Sequence, residues 1–166
     1  MNRVLTYLIS VFIGALSLGA PATSLPDEAL GVVYITSVKT GSLPFLHGIK
    51  GEGNYLTTNE QGELCRVEPV ILVAGGFNGE HIRFGQGDPI TLTIYNPTVS
   101  TRLKQGKKTV SADYNVSVNS TAHQDIYIEQ GLTLAEGFVL HPRKAWSSWF
   151  GFQPSQPNCD TATLDN

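Results

Sequence analysis

VILVAGGFNGEHIRFGQGDPITLTIYNP, residues 70–97, is the stretch that decides the fold. Val70–Ala74 is a short all-apolar run of the kind that fills a central strand. Gly75–Gly79 breaks it, His81–Phe84 resumes an extended run, and Gly85–Pro89 is a turn. Ile90–Tyr95 then alternates apolar and polar residues with a period of two, the pattern of a half-buried strand, and Asn96-Pro97 ends it. The same rhythm extends both ways. Upstream, Gly31–Val38, Leu43–Ile49, Tyr55–Thr58 and Leu64–Val67 are separated by turn signals at Lys39–Ser42, Gly51–Asn54 and Asn59–Gly62. Downstream, Ser100–Leu103, Val110–Val118, Asp125–Glu129, Leu132–Ala135 and Phe138–His141 continue it. Turn signals recur about every 8–12 residues, and no sustained i, i+3, i+4 apolar pattern occurs beyond the N-terminus. The expectation is a compact all-β single domain of short antiparallel strands, β-trefoil-like or a small barrel, with a two-sheet β-sandwich as the alternative. Glycine-punctuated hairpins around Gly41, Gly76 and Gly131 favour the trefoil.

The N-terminus sets the compartment. Arg3 is the only charge before Asp27, Val4–Leu18 is almost continuously apolar, and Gly19-Ala20-Pro21-Ala22 follows. A positive start, an apolar run and a small-residue exit form a secretory signal peptide, shorter than the roughly 20 apolar residues a bilayer span needs. This predicts a signal over residues 1–22, a domain over 23–152, an irregular tail over 153–166, and a secreted or wall-bound product. Without Arg3, 10 basic residues face 14 acidic ones. That mildly acidic balance argues against nucleic acid, and against a membrane once the signal is removed.

The late stretch Arg143–Cys159, RKAWSSWFGFQPSQPNC, holds both tryptophans and one of the two cysteines. Trp146, Trp149, Phe150 and Phe152 form either a sugar-stacking ligand face or a core-closing strand, and alternation permits both. Two cysteines in an exported chain pair, so Cys65 and Cys159 are expected to form a disulfide that closes most of the mature chain into one loop. In the chain-entropy account a loop of that size contributes on the order of 4–5 kcal/mol.

Residue types that carry chemistry are scattered. His47, His81, His123 and His141 stand singly, without ligand spacing, so no metal and no cofactor is expected. Glu80, Asp88, Asp113, Asp125, Glu129 and Glu136 are the candidates for a glycosidase pair, which only separation in space identifies. There is no G-x-S-x-G elbow, and the glycine pairs Gly51/Gly53 and Gly85/Gly87 lack a following helix, so they are read as turns. The basic run Arg102–Lys108 is either a polyanion contact or a solvated hairpin tip, and the second is preferred. Two glycosylation triplets begin at Asn115 and Asn119, with Asn119 the better placed in its polar stretch.

The order of landmarks resembles a family of small secreted fungal cell-wall proteins, the phialide-development cell-wall protein and its relatives. The matching features are Tyr34–Ser42 ending in a Thr-Gly-Ser turn, Cys65 after glycine-rich strands, Trp146-Ser147-Ser148-Trp149, and Asn158-Cys159. The chain departs from that family in having Leu140-His141-Pro142 where a further cysteine precedes the tryptophan strand. The resemblance implies a non-enzymatic cell-wall or cell-surface protein, structural or polysaccharide-binding. Two alternatives are an exported bacterial adhesin or pilus-like subunit working by strand pairing, and a small glycan-active enzyme.

Overall fold

A computed structural model describes residues 25–77, 81–119 and 123–141, and the backbone of 160–161. The protein is all-β with one short helix. Its strands are β1 Gly31–Leu43, β2 Leu46–Thr58, β3 Leu64–Gly76, β4 Arg83–Gln86, β5 Ile90–Ile94, β6 Thr109–Val110, β7 Val116–Ser117, β8 Ile126–Gln130, β9 Gly137–His141 and β10 Asp160–Thr161. Helix α1 spans Pro97–Lys104. All strands belong to one sheet, ordered β6-β9-β3-β2-β1-β5-β8-β7, with β4 added to β1 and β10 to β3. Every pair is antiparallel except β7–β8. The sheet curls into a half-barrel, so the barrel-like form is the one adopted. Among the described strands there is neither a three-fold repeat of hairpins nor a second sheet.

The main departure from expectation is strand length. β1, β2 and β3 each run 13 residues, where the sequence suggested shorter pieces. Lys39–Ser42 and Gly51–Asn54 read as turns but lie inside β1 and β2. Their glycines serve close approach rather than chain reversal. A Cβ at Gly53 would collide with the carbonyl of Tyr34, and one at Gly51 with the Ile35 side chain. The actual reversal is Pro44–Phe45, between the paired residues Leu43 and Leu46.

Register irregularities at Ile35/Ser37 in β1 and Gly53/Tyr55 in β2 bend this meander. The first lets Val33, Ile35 and Val38 all face inward. The interior cluster joins these to Ile49, Tyr55, Val67, Val70, Leu72 and Phe138 from the sheet, and to Val99 and Leu103 from α1. Val70–Ala74 is central, as its apolar run predicts, lying between β2 and β9. Ile90–Ile94 is buried on both faces rather than half-buried. Its two threonines are covered by polar partners, with Thr93 Oγ1 donating to Glu129 and Gln130 Nε2 donating to Thr91 Oγ1 at 3.2 Å.

Helix α1 replaces an expected strand at Ser100–Leu103. Asn96 is its N-cap, accepting from the backbone N–H of Thr98 at 2.7 Å and of Val99 at 3.2 Å, and Pro97 opens its first turn. The basic run Arg102–Lys108 is therefore the end of a helix and the turn into β6, not a hairpin tip. Lys104 Nζ donates to the Thr58 carbonyl at 2.7 Å, and Arg102 donates to the Lys108 carbonyl. Val110–Val118 divides into β6, a 3-10 turn at Ser111–Asp113, and β7. Leu132–Ala135 is loop.

Candidate functional site

The hairpin end of the β1–β2–β3 meander carries two features. On the outside it exposes large apolar side chains. Phe77 is 91 % exposed, Phe45 82 % and Phe84 77 %, with Leu43, Leu46 and Ile82 beside them. Register accounts for their clustering. Leu43 pairs with Leu46, Gly41 with Phe84, and His47 with Gly76, so the ends of β1, β2 and β3 and the start of β4 meet here. The Phe84 ring lies against Gly41, where an added Cβ would sit 3.2 Å from it.

Phe45 is held at φ +68°, in the left-handed region that a turn following Pro44 reserves for Gly or Asn. A non-glycine residue there costs roughly 1–2 kcal/mol. A folding turn gains nothing from a phenylalanine in that position, whereas a contact surface gains a ring carried at the farthest point of the hairpin.

Behind this tip the outer face carries a row of glycines, covered at Gly41 by the Phe84 ring. Gly41, Gly48, Gly75 and Gly137 stand in register across β1, β2, β3 and β9. Two residues farther along comes a row of Lys39, Lys50, Val73 and Val139.

The inner side of the same end opens into a cleft of about 390 Å³ between β1–β2 and the loops at Gly87–Asp88 and Gly131–Glu136. Val38, Ile49 and Leu132 give it apolar walls, and Thr40, His47, Asp88, Thr133 and Glu136 give it polar ones. Glu136 is nearly buried, and its Oε2 accepts from Thr133 N at 2.8 Å and Oγ1 at 3.2 Å. Its Oε1 lies 3.7 Å from His47 Nε2, while His47 Nδ1 is 2.7 Å from Ser42 Oγ. The tautomer that serves both neighbours carries its proton on Nε2, facing the carboxylate, and accepts from the serine hydroxyl. This chain of groups ties the hairpin to the β8–β9 loop.

Of the six candidate carboxylates, Asp88 and Glu136 come together in this cleft. Asp125 is committed elsewhere, accepting from Asn96 Nδ2 at 2.7 Å and Asn115 N at 2.8 Å, and Glu129 accepts from Thr93. Asp113 ends the 3-10 turn, and Glu80 lies outside the described residues. Among the described residues no group of three or more His, Cys, Asp or Glu is arranged to hold a metal ion.

Trp146, Trp149, Phe150, Phe152 and Cys159 lie outside the described residues. Cys65 is fully buried in β3, and β10 pairs with β3 through Asp160↔Arg66 and Thr161↔Cys65. The backbone two residues beyond Cys159, at Thr161, therefore runs beside Cys65. Asn115 and Asn119 are both exposed, but Asn115 Nδ2 already donates to the His123 carbonyl at 2.7 Å. The exposed apolar end was missed in the sequence, where LPFLHGI reads as one more strand and alternation does not say which residues water reaches.

No protein-family profile matches the chain, and no curated protein or solved structure matches it.

Proposed function

We propose that the protein is exported and works at the cell surface or in the wall by contact rather than by turnover. The observation that carries this reading is the exposed apolar end. Isolated apolar residues are ordinary on a soluble surface, but a contiguous group of six rimmed by polar residues is the mark of an interaction site. The signal-like N-terminus and the likeness to fungal wall proteins give the compartment. A disulfide between Cys65 and Cys159 and a glycan on Asn119 belong to the same reading. The strand pairing beside Cys65 supports the first, and the exposure of Asn119 supports the second. Wall polysaccharide is the partner proposed for the late aromatic ribbon Trp146–Phe152.

Retention on cell-surface material tests the proposal. The protein should be held by intact wall-and-membrane preparations, and Phe45→Ser/Phe77→Ser should be released from them. Equal retention of the variant, or release of soluble sugar by the wild type, would contradict it.

One observation favours a second reading. Asp88 and Glu136 line a single cleft, as a glycan-active enzyme requires of its two acids. Reducing ends released from wall polymers by the wild type but not by Glu136→Gln would establish that reading instead. Strand pairing with another subunit draws less support, because the exposed strand β4 offers only four residues.

A further inference from the structure

The contact end is layered, and the layers suggest its partner. Outermost is the apolar tier of Leu43, Phe45, Leu46, Phe77 and Ile82. Next is the band of Gly41, Gly48 and Gly75, which adds no side chain of its own to the outer face and is covered at Gly41 by the Phe84 ring. Four residues back from Leu43 and Leu46, on the same outer face, stand the exposed cations Lys39 and Lys50. The segments that build the outer face of this end in β1–β3, residues 39–50 and 70–77, contain no Asp or Glu. Glu52, two residues beyond Lys50, is the first acidic residue along β2. The chain as a whole is acidic, yet the outer face of this end is apolar and carries Lys39 and Lys50, while Asp88 and Glu136 lie in the cleft on its inner side.

We propose that this end seats the protein on an anionic lipid surface. The inference rests on the reading of the same end as the contact site. At about 3.3 Å per residue, Lys39 and Lys50 sit roughly 13 Å behind the apolar row. Peripheral anchors enter the boundary between headgroups and acyl chains by about 5–10 Å. A tip inserted to that depth brings the lysines level with the phosphates, where cations are attracted and their long side chains reach outward. Two other occupants fit less well. A wall polymer offers no hydrocarbon to Leu43, Leu46 and Ile82, which have no ring face to stack on a sugar. A second copy meeting this one tip to tip about a two-fold axis would cover the apolar tier but leave Lys39 and Lys50, set back from it, with no anionic partner. Among the described residues no helix is long and apolar enough to cross a membrane.

The test is co-sedimentation of the protein with vesicles of phosphatidylcholine plus phosphatidylserine, against vesicles of phosphatidylcholine alone and lipid-free wall polymers. The expected result is binding to the anionic vesicles at low salt. It should weaken at least tenfold in Phe45→Ser/Phe77→Ser and severalfold in Lys39→Glu/Lys50→Glu, and it should decline as salt screens the lysines. Leu134→Ser, which removes an exposed apolar side chain from the β8–β9 loop, should bind like the wild type. Absence of vesicle binding, or equal binding by both double variants, overturns the proposal. If vesicles are ignored while Phe45→Ser/Phe77→Ser loses retention on wall polymers, the lipid assignment fails and the contact reading stands. If neither material is held, both fail. Dimerisation lost with the same substitutions would assign the end to a second copy and overturn the lipid assignment.

Discussion

The two ends of the β1–β2–β3 meander are made from the same three strands and are treated in opposite ways. At the end near Gly31, Thr57 and Cys65, the large apolar side chains of β1, β2 and β3 are buried or half-buried. Tyr55 is fully buried and its hydroxyl donates to Ser100 Oγ at 2.7 Å, joining β2 to α1. Thr57 Oγ1 donates to the Leu30 carbonyl at 2.7 Å, and Lys104 fastens the helix to the end of β2. At the other end, some forty ångströms of strand away (13 residues at about 3.3 Å), the large side chains stand in water. The difference teaches that stability is invested at one end and contact at the other. A fold needing the hairpin end for its core would bury Phe45 and Phe77; this one does not.

Substitutions at the buried end should give the largest effects. Tyr55→Ala removes a fully buried aromatic and leaves Ser100 without its donor, and should destabilise by about 3–5 kcal/mol in chemical denaturation. A loss comparable to that of an exposed residue would erase the contrast between the ends. A smaller and more diagnostic pair lies within β2. Gly53→Ala drives a methyl into the Tyr34 carbonyl and should cost on the order of 1–3 kcal/mol. Gly48→Ala meets nothing closer than 3.9 Å and should fall within about 0.5 kcal/mol of wild type. If both prove equally harmful, the outer glycine band is a requirement of the strand rather than a feature of the contact face.

Asn96→Ala should cost about 1 kcal/mol by uncapping α1, read from the same unfolding curves. A subtler effect belongs to alkaline pH. Burial raises the Tyr55 phenol above its ordinary value, and hydrogen bonding with Ser100 and Thr57 offsets part of the rise. A raised folded-state value means that the fold favours the neutral phenol. The contribution is intact below about pH 10, where the unfolded phenol ionises, and is lost as pH rises from there through the folded value. The denaturation midpoint should fall over that range in the wild type and fall less steeply in Tyr55→Phe. Parallel curves for the two would remove Tyr55 from the account.

The all-β class was legible because apolar-polar alternation and frequent turns survive in any all-β arrangement. Strand length was not. Gly41, Gly51 and Gly53 look in sequence like turn residues, and only the packing of Ile35 and Tyr34 above the last two shows why glycine stands there. Helix α1 hid for a different reason. Thr98, Val99 and Thr101 are β-branched, and Asn96-Pro97 ends a strand as readily as it caps a helix. Tertiary contact, through Val99, Ser100 and Leu103, decides for the helix. The cleft joins His47 of β2 to Asp88 and Glu136, residues distant in sequence, so no spacing rule could reveal it. The apolar end depended on knowing which hairpin residues the core leaves uncovered, and Phe45, next to Pro44 in a reversal that the sequence reading placed earlier, at Lys39–Ser42, gave no such signal.

The claim that the hairpin end serves contact and not folding is tested most directly by Phe45→Ser/Phe77→Ser, with its unfolding midpoint and its retention on cell-surface preparations measured side by side. The account predicts a midpoint indistinguishable from wild type together with lost retention. A lowered midpoint, or retention equal to that of the wild type, would contradict it.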